Sequence, residues 1–262
     1  MSDRSPHRQE ARRAEVYARL ATVTDPELDE PLTELGFVED VTLGSDRTVA
    51  IGFRLPTYWC AANFAFLMAD DMRRAVSTLP WVKSVRPELR DHMYADEVNR
   101  GVTQGLDFGA AFGDLASDEP LDALRAKFWR KSFERRQEVV LAALLAQSIE
   151  PARIVTLTIG GLESMQLSSP DWARAKARYV ARRHELSDGG AYQAAAFVDA
   201  DGRPLATNEL AARMTALRGV RLNMEFNSAL CRGLLAARYQ EGPPAGEPTL
   251  ADFMPGGALA PR

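Results

Sequence analysis

The chain has 262 residues, 46% of them hydrophobic and 26% charged, with a formal net charge of -4; this composition leaves room for two modest domains and excludes fibrous and disordered classes. No stretch holds the ~18 to 20 uncharged apolar residues of a membrane span, and the charged start "MSDRSPHRQEARRAEV" lacks the apolar segment of a secretory signal, so a cytoplasmic protein without a membrane partner is expected. Two cysteines, Cys60 and Cys231, are too few and too far apart for a disulfide framework and read as free thiols.

In chain order, residues 10 to 23 place Ala14, Val16, Tyr17, Leu20 and Val23 near one face of a helix. Pro26 and Pro31 in "TDPELDEP" stop a regular helix from continuing. "FVEDVTL" and "TVAIGFRL" read as two strands joined by the hairpin-length turn "GSDR". Residues 61 to 78 resume helical spacing through Phe64, Leu67, Met68, Met72 and Val76, and "WVKSVRPEL" reads as a third strand ended at Pro87. The order helix, hairpin, helix, strand predicts an α+β fold built as a two-layer α/β sandwich over residues 10 to 100.

Gly101, Gly105, Gly109 and Gly113 recur at four-residue spacing in the next stretch. Each glycine costs about 1 kcal/mol relative to Ala in a helix interior, so residues 101 to 117 read as a mobile linker, with a lid as the other reading. A charge seam falls at the same place. Residues 1 to 117 hold 13 Lys and Arg against 19 Asp and Glu, and residues 118 to 262 hold 19 against 17.

Residues 118 to 241 read as a mostly helical second domain. A long helical pattern opens with Asp118 as a cap and Pro120 in its first turn. "ARIVTLTIG" reads as a short strand, "PDWARAKARYVARRHEL" as a helix starting at Ser169 or Pro170, and "QAAAFVDADGRPL" as a strand running into an Asp-Gly turn. "TNELAARMTALR" and "RLNMEFNSALCRGLLAARYQ" read as two further helices, and residues 242 to 262 as a Pro/Gly-rich flexible tail.

Cys60 follows a strand and precedes a helix, where free backbone N–H groups and the positive dipole end favour thiolate over thiol. The other reading of Cys60 is a core residue flanked by Trp59 and Phe64. Asp25 can cap the turn that follows it, or Asp25 and Glu27 can act as hard oxygen donors to iron beside Cys60.

Four words in this order carry a resemblance: Asp25-Pro26-Glu27, Leu35-Gly36-Phe37-Val38, Thr57-Tyr58-Trp59-Cys60 and Leu79-Pro80-Trp81-Val82. Together they resemble the PaaD/SufT-like iron-sulfur cluster assembly domain over about residues 12 to 92, with Ala61 standing where that family usually has Pro. The resemblance implies an accessory or maturation factor, not an enzyme. Such a factor assembles or delivers iron or an iron-sulfur cluster, held transiently, to a client metalloenzyme, for example an iron-dependent oxygenase. Cys60, with Asp25 and Glu27, is the expected cofactor-binding set.

One thiolate cannot hold a cluster, which ordinarily takes four thiolate or imidazole ligands. The rest must come from a second copy in a homodimer, from the client, or from Cys231, which makes Cys60 and Cys231 the expected metal ligands. His7 lies in a start that reads as disordered, His92 and His184 lie in charged helical stretches and read as solvated, and no Cys-x-x-Cys pair points to zinc. Arg125, Lys127, Arg130, Lys131, Arg135 and Arg136 interleave with Phe128, Trp129 and Phe133 in a pattern that nucleic-acid binders also use. The acidic balance of the chain argues for a solvated or docking helix face instead. Asn223, Asn227 and Cys231 share one helix side. They read either as solvent-facing amides beside a packed cysteine or as a stripe that brings Cys231 to Cys60. A thiol oxidoreductase using Cys60 and a scaffold without metal chemistry remain the alternative functions.

Overall fold

The computed structural model describes residues 6–113, 120–186 and 191–239. They fall into two units whose boundaries lie inside two long helices. One unit is formed by the chain up to Arg125 together with the stretch from Phe226, and the other by Ala126–Glu225.

In the first unit, helix α1 (Pro6–Leu20) has no internal Gly or Pro and buries Val16 and Leu20, one turn apart, against a small sheet. Strand β1 (Val38–Leu43) pairs antiparallel with β2 (Thr48–Arg54), in the register Val41 to Ile51 and Leu43 to Val49. In the connecting turn the Arg47 N–H donates to the Gly44 carbonyl, and the left-handed backbone falls on Arg47 at φ 68. Helix α2 (Ala62–Ser77) then carries the chain across to β3 (Ser84–Arg90), which lies parallel to β2. β2 is thus the central strand, and its Val49, Ile51 and Phe53 are fully buried. The expected α+β sandwich order of helix, hairpin, helix and strand is the order observed.

The third strand does not stop at Pro87. Pro87 pairs in register with Ile51 and the strand continues to Arg90. β3 is an edge strand, so a proline whose missing N–H points outward removes no ladder bond. At the next outward position, Leu89, the Asn99 amide replaces a neighbouring strand by accepting from the Leu89 N–H at 2.7 Å and donating to its carbonyl at 3.0 Å.

The expected linker is largely helical up to residue 113; residues 114–119, Asp118 among them, lie outside the described residues, as does the expected tail from residue 242. Helix α3 (Ala95–Gln104) ends on Gly105 in the left-handed conformation, and the short α4 (Phe108–Phe112) starts on Asp107, whose side chain accepts from the Ala110 N–H. Phe108, Ala111 and Phe112 are buried, and Phe66, Phe108 and Phe112 form an aromatic cluster. A Cβ on Gly101 would lie 2.5 Å from the Ala111 Cβ and 2.9 Å from Phe66 Cε2. This glycine lets helices approach; it does not loosen the chain.

The second unit is helical, as expected. It contains most of α5 (Leu121–Ala146), then α6 (Pro151–Val155), α7 (Ile159–Ser164), α8 (Pro170–Glu185) and the first part of α9 (Leu210–Tyr239). Ser169 caps α8 by accepting from the Asp171 N–H. "ARIVTLTIG" is not a strand: Pro151 starts one helical turn, Thr158 caps another, and the only strand-like contact is the single bridge of Thr158 to Ala195. "QAAAFVDADGRPL" likewise forms no strand: it holds the Ala195 end of that bridge and a second single bridge, Val198 to Pro204, around its turn. The last two expected helices are one, since Gly219 does not interrupt α9. In the basic-aromatic segment, Phe133 is fully buried and stacks on Trp129 at 5.4 Å, so these two aromatics serve the core of this unit. Among the described residues no helix is long and apolar enough to cross a membrane.

Candidate functional site

Parallel pairing puts the C-terminal ends of β2 and β3 side by side, so the loop after β2, which carries Cys60, meets the loop after β3. The two loops are tied together. The Met93 N–H donates to the Tyr58 carbonyl at 2.9 Å, and His92 Nε2 lies 2.8 Å from the Cys60 carbonyl. His92 Nδ1 accepts from the Tyr94 N–H at 3.2 Å, which leaves Nε2 to carry the hydrogen toward Cys60. Burial holds the His92 pKa below the usual histidine value and keeps the ring neutral in this role. The Thr57 hydroxyl lies 3.1 Å from the Cys60 sulfur. Ala61, at the N-terminus of α2, has φ -57 and ψ 128, a φ that proline would also adopt, so the exchange of Pro for Ala keeps the turn.

Asp25 sits in the turn between α1 and β1. Its Oδ1 accepts the N–H groups of Glu27 and Leu28, both at 2.8 Å, which is the capping role. Burial pushes its carboxyl pKa up to about 6, against the lowering effect of those two bonds. Glu27 is half-buried beside it.

The end of α9 belongs to this unit. Leu235 is buried and packs against Gly36, whose φ of 73 and missing side chain leave room for it. Arg232 pairs with the Glu30 carboxylate and donates to the Glu34 carbonyl at 2.8 Å. Arg238 donates to the carbonyls of Leu55 and Asp91, one from each of the two tied loops, and the Tyr239 ring lies under the Arg54 guanidinium at 3.9 Å. On the same inward side as Leu235 and Arg238 is Cys231. Burial pushes its thiol up to about 12, and Asp25, Cys60, Glu27 and Glu30 lie close enough to add to the shift.

Cys60 and Cys231 both pack against the core of the first unit, to which Asp25 and Glu27 also belong. Among the described residues, however, no three His, Cys, Asp or Glu side chains already form a group able to hold a metal ion. Of the helix stripe, Asn223 is exposed and Asn227 half-buried.

Two features of this region were not read from the sequence. His92 is 5% exposed and positions the Cys60 loop; it is not a solvated side chain. A strand continued through Pro87 would have placed it at the same sheet edge as Cys60. Trp59 is no core neighbour of Cys60: it is 72% exposed, with Tyr58 at 51% and Met93 at 46% on the adjoining loops.

No curated protein and no solved structure matches the chain. A family model described as "Iron-sulfur cluster assembly protein" matches residues 13–86, the span from α1 into β3 that holds Asp25, Glu27 and Cys60. Residues 13–86 thus match that family model, a match consistent with a PaaD/SufT-like iron-sulfur assembly domain, and the match supports a role for the protein in iron-sulfur assembly.

Proposed function

We propose that the chain is a cytoplasmic accessory factor that assembles or delivers an iron or iron-sulfur centre to a client metalloenzyme, an iron-dependent oxygenase being the client class its resemblance suggests. The observation that carries this reading is the family match over residues 13–86, the span that holds Asp25, Glu27 and Cys60; Cys60 and Cys231 are both free thiols packed against the core of the first unit. Thiolates are soft ligands suited to iron and clusters. The Cys231 thiol is protonated at neutral pH, so incoming metal must displace its proton, which makes capture pH-dependent and reversible. Two thiols fall short of the ligands a cluster ordinarily takes. Cargo held so incompletely passes readily to a protein that completes the set.

The test is anaerobic reconstitution with ferrous iron and sulfide. Wild type is expected to take up iron with thiolate-to-iron absorption bands, Cys60→Ser to lose them, and Cys231→Ser to hold iron more weakly. Full iron uptake by Cys60→Ser would sink the proposal. Two free thiols packed against the same core also allow a second reading, a thiol oxidoreductase in which Cys231 resolves a disulfide formed at Cys60. Thiol-disulfide exchange by wild type that disappears in either single variant supports it. No effect of either variant in either assay leaves the scaffold reading.

A further inference from the structure

We propose that the first unit carries a second site, a cavity beside the later turns of α2 that binds a small carboxylate with an apolar body. Its arginines lie about three turns of α2, roughly 16 Å, beyond the helix end that follows Cys60, and the inference stands whatever chemistry the thiols perform.

Three observations lead to it. First, there is room. A cavity of about 480 Å³ opens between α2, the turn joining α3 to α4 and the start of α5, and every residue named in its lining belongs to the first unit. Pockets for small molecules run from about 300 to 1,000 Å³. Second, the walls divide by character. Phe66, Leu106, Phe108 and Leu121 supply apolar surface, and Phe66 meets Phe108 edge to face at 5.6 Å, which fixes both rings. Arg73, Arg74 and Arg125 supply the charged wall.

Third, these arginines hold more donors than the acids beside them accept. All three meet one carboxylate: Arg73 reaches Asp70 through Nη2 at 2.8 Å, Arg74 through Nε at 2.7 Å and Arg125 through Nη2 at 3.2 Å. Asp71 takes the other terminal nitrogen of Arg125 at 2.6 Å. Arg125 is therefore shared between two acids, while Asp70 alone answers both Arg73 and Arg74. The remaining acids of the lining are committed elsewhere. Asp107 Oδ1 caps α4 by accepting the Ala110 N–H at 2.7 Å, and Asp122 sits in the first turn of α5, where the helix N-terminus offsets its charge. One positive charge is left over on the α2 wall. Because Arg74 meets Asp70 through Nε, its two terminal nitrogens remain for an incoming acceptor. Such a planar pair of donors matches the two oxygens of a carboxylate, and the apolar wall takes the rest of the molecule.

The experiment records saturation transfer from the full chain to benzoate by ligand-observed NMR. Benzamide is the uncharged probe of the same shape, and inorganic phosphate is a competitor with charge but no apolar body. Benzoate is expected to reach half-saturation on the order of 1 mM, the range for a probe of so few atoms, and benzamide to bind roughly tenfold more weakly or worse. Phosphate at equal concentration should leave the benzoate signal in place. Arg74→Gln changes a side chain that is 66% exposed and leaves Arg73 and Arg125 on Asp70. It should keep the wild-type melting temperature and weaken benzoate about tenfold.

No transfer to benzoate at about 10 mM overturns the inference. Equal binding of benzamide overturns it too, since the cavity is then merely apolar, and so does displacement by phosphate, which reduces the site to an adventitious ion only. An Arg74→Gln variant that binds benzoate as wild type does places the probe elsewhere and has the same effect. The benzamide and phosphate measurements use wild type alone, so they decide the matter even if the variant fails to fold.

Discussion

Replacing Gly101 by Ala separates a packed helix from a flexible linker, because the two arrangements give opposite signs. In a loose or solvent-facing helical segment, Gly to Ala stabilises by about 1 kcal/mol through helix propensity. Here the added Cβ would lie 2.5 Å from the Ala111 Cβ and 2.9 Å from Phe66 Cε2, whereas carbon atoms pack at about 3.5–4.0 Å. The first neighbour is a short side chain on α4 and the second a ring held in an aromatic cluster, so neither can give way without moving its helix. Overpacking of this kind costs about 1–3 kcal/mol. Set against the propensity gain, Gly101→Ala should destabilise by about 0–2 kcal/mol. Gly219 is the control, since it sits inside α9 with nothing within 4 Å of its would-be Cβ, and Gly219→Ala should stabilise by about 0.5–1 kcal/mol. Thermal melts read by circular dichroism should move in opposite directions, by a few degrees each at this chain length. If Gly101→Ala raises the melting temperature as Gly219→Ala does, the packing of α3 against α2 and α4 is refuted and the linker reading returns.

The raised pKa of Asp25 gives a pH signature in the metal-free protein. The folded state holds this proton more tightly than the unfolded state, so the stability it brings is present below about pH 4 and lost as pH rises through about 6. Asp25→Asn keeps an Oδ1 acceptor for the Glu27 and Leu28 N–H groups, and it should gain about 2–3 kcal/mol relative to wild type between pH 4.5 and 7.5 in urea titrations; an equal difference at both pH values would refute the burial argument. Iodoacetamide at pH 7.5 should label Cys60 well before Cys231, whose thiol is held protonated. Equal labelling of the two in the folded protein would contradict the placement of Cys231. Brief proteolysis should spare residues 95–112, because α3 and α4 are packed helices; early cuts within that span would show that they open readily.

Much of the first unit was legible because its signals are local. The alternation in β1 and β2, the turn at Gly44–Arg47 and the apolar stripe of α2 are each written within a single element, and four short words in order pointed to the family. Features that depend on two distant segments were not legible in the same way. Pro87 reads as a terminator unless the strand is known to be an edge. Gly101 reads as a breaker unless Ala111 is known to lie against it. His92 reads as solvated unless the parallel pairing of β3 with β2 is known to set it under the Cys60 carbonyl. Cys231 was the hardest case, because its place against the core of the first unit depends on α9 returning to a unit it is separated from by a hundred residues of sequence. The helical spacing of Asn223, Asn227 and Cys231 shows a shared side but not what that side meets.

That return has a consequence for how the protein is made. The stretch carrying Cys231, Arg232, Leu235 and Arg238 leaves the ribosome only after the whole of Ala126–Glu225 has been translated. At 5–20 residues per second this delay is on the order of ten seconds. During it the sandwich around β2 is already synthesised, but Gly36 has no Leu235 against it, and the two loops beside Cys60 lack the Arg238 clamp. A nascent chain therefore presents the loop of Cys60 before the clamp that fixes it exists. The first unit thus completes its own packing only after the second unit has been synthesised.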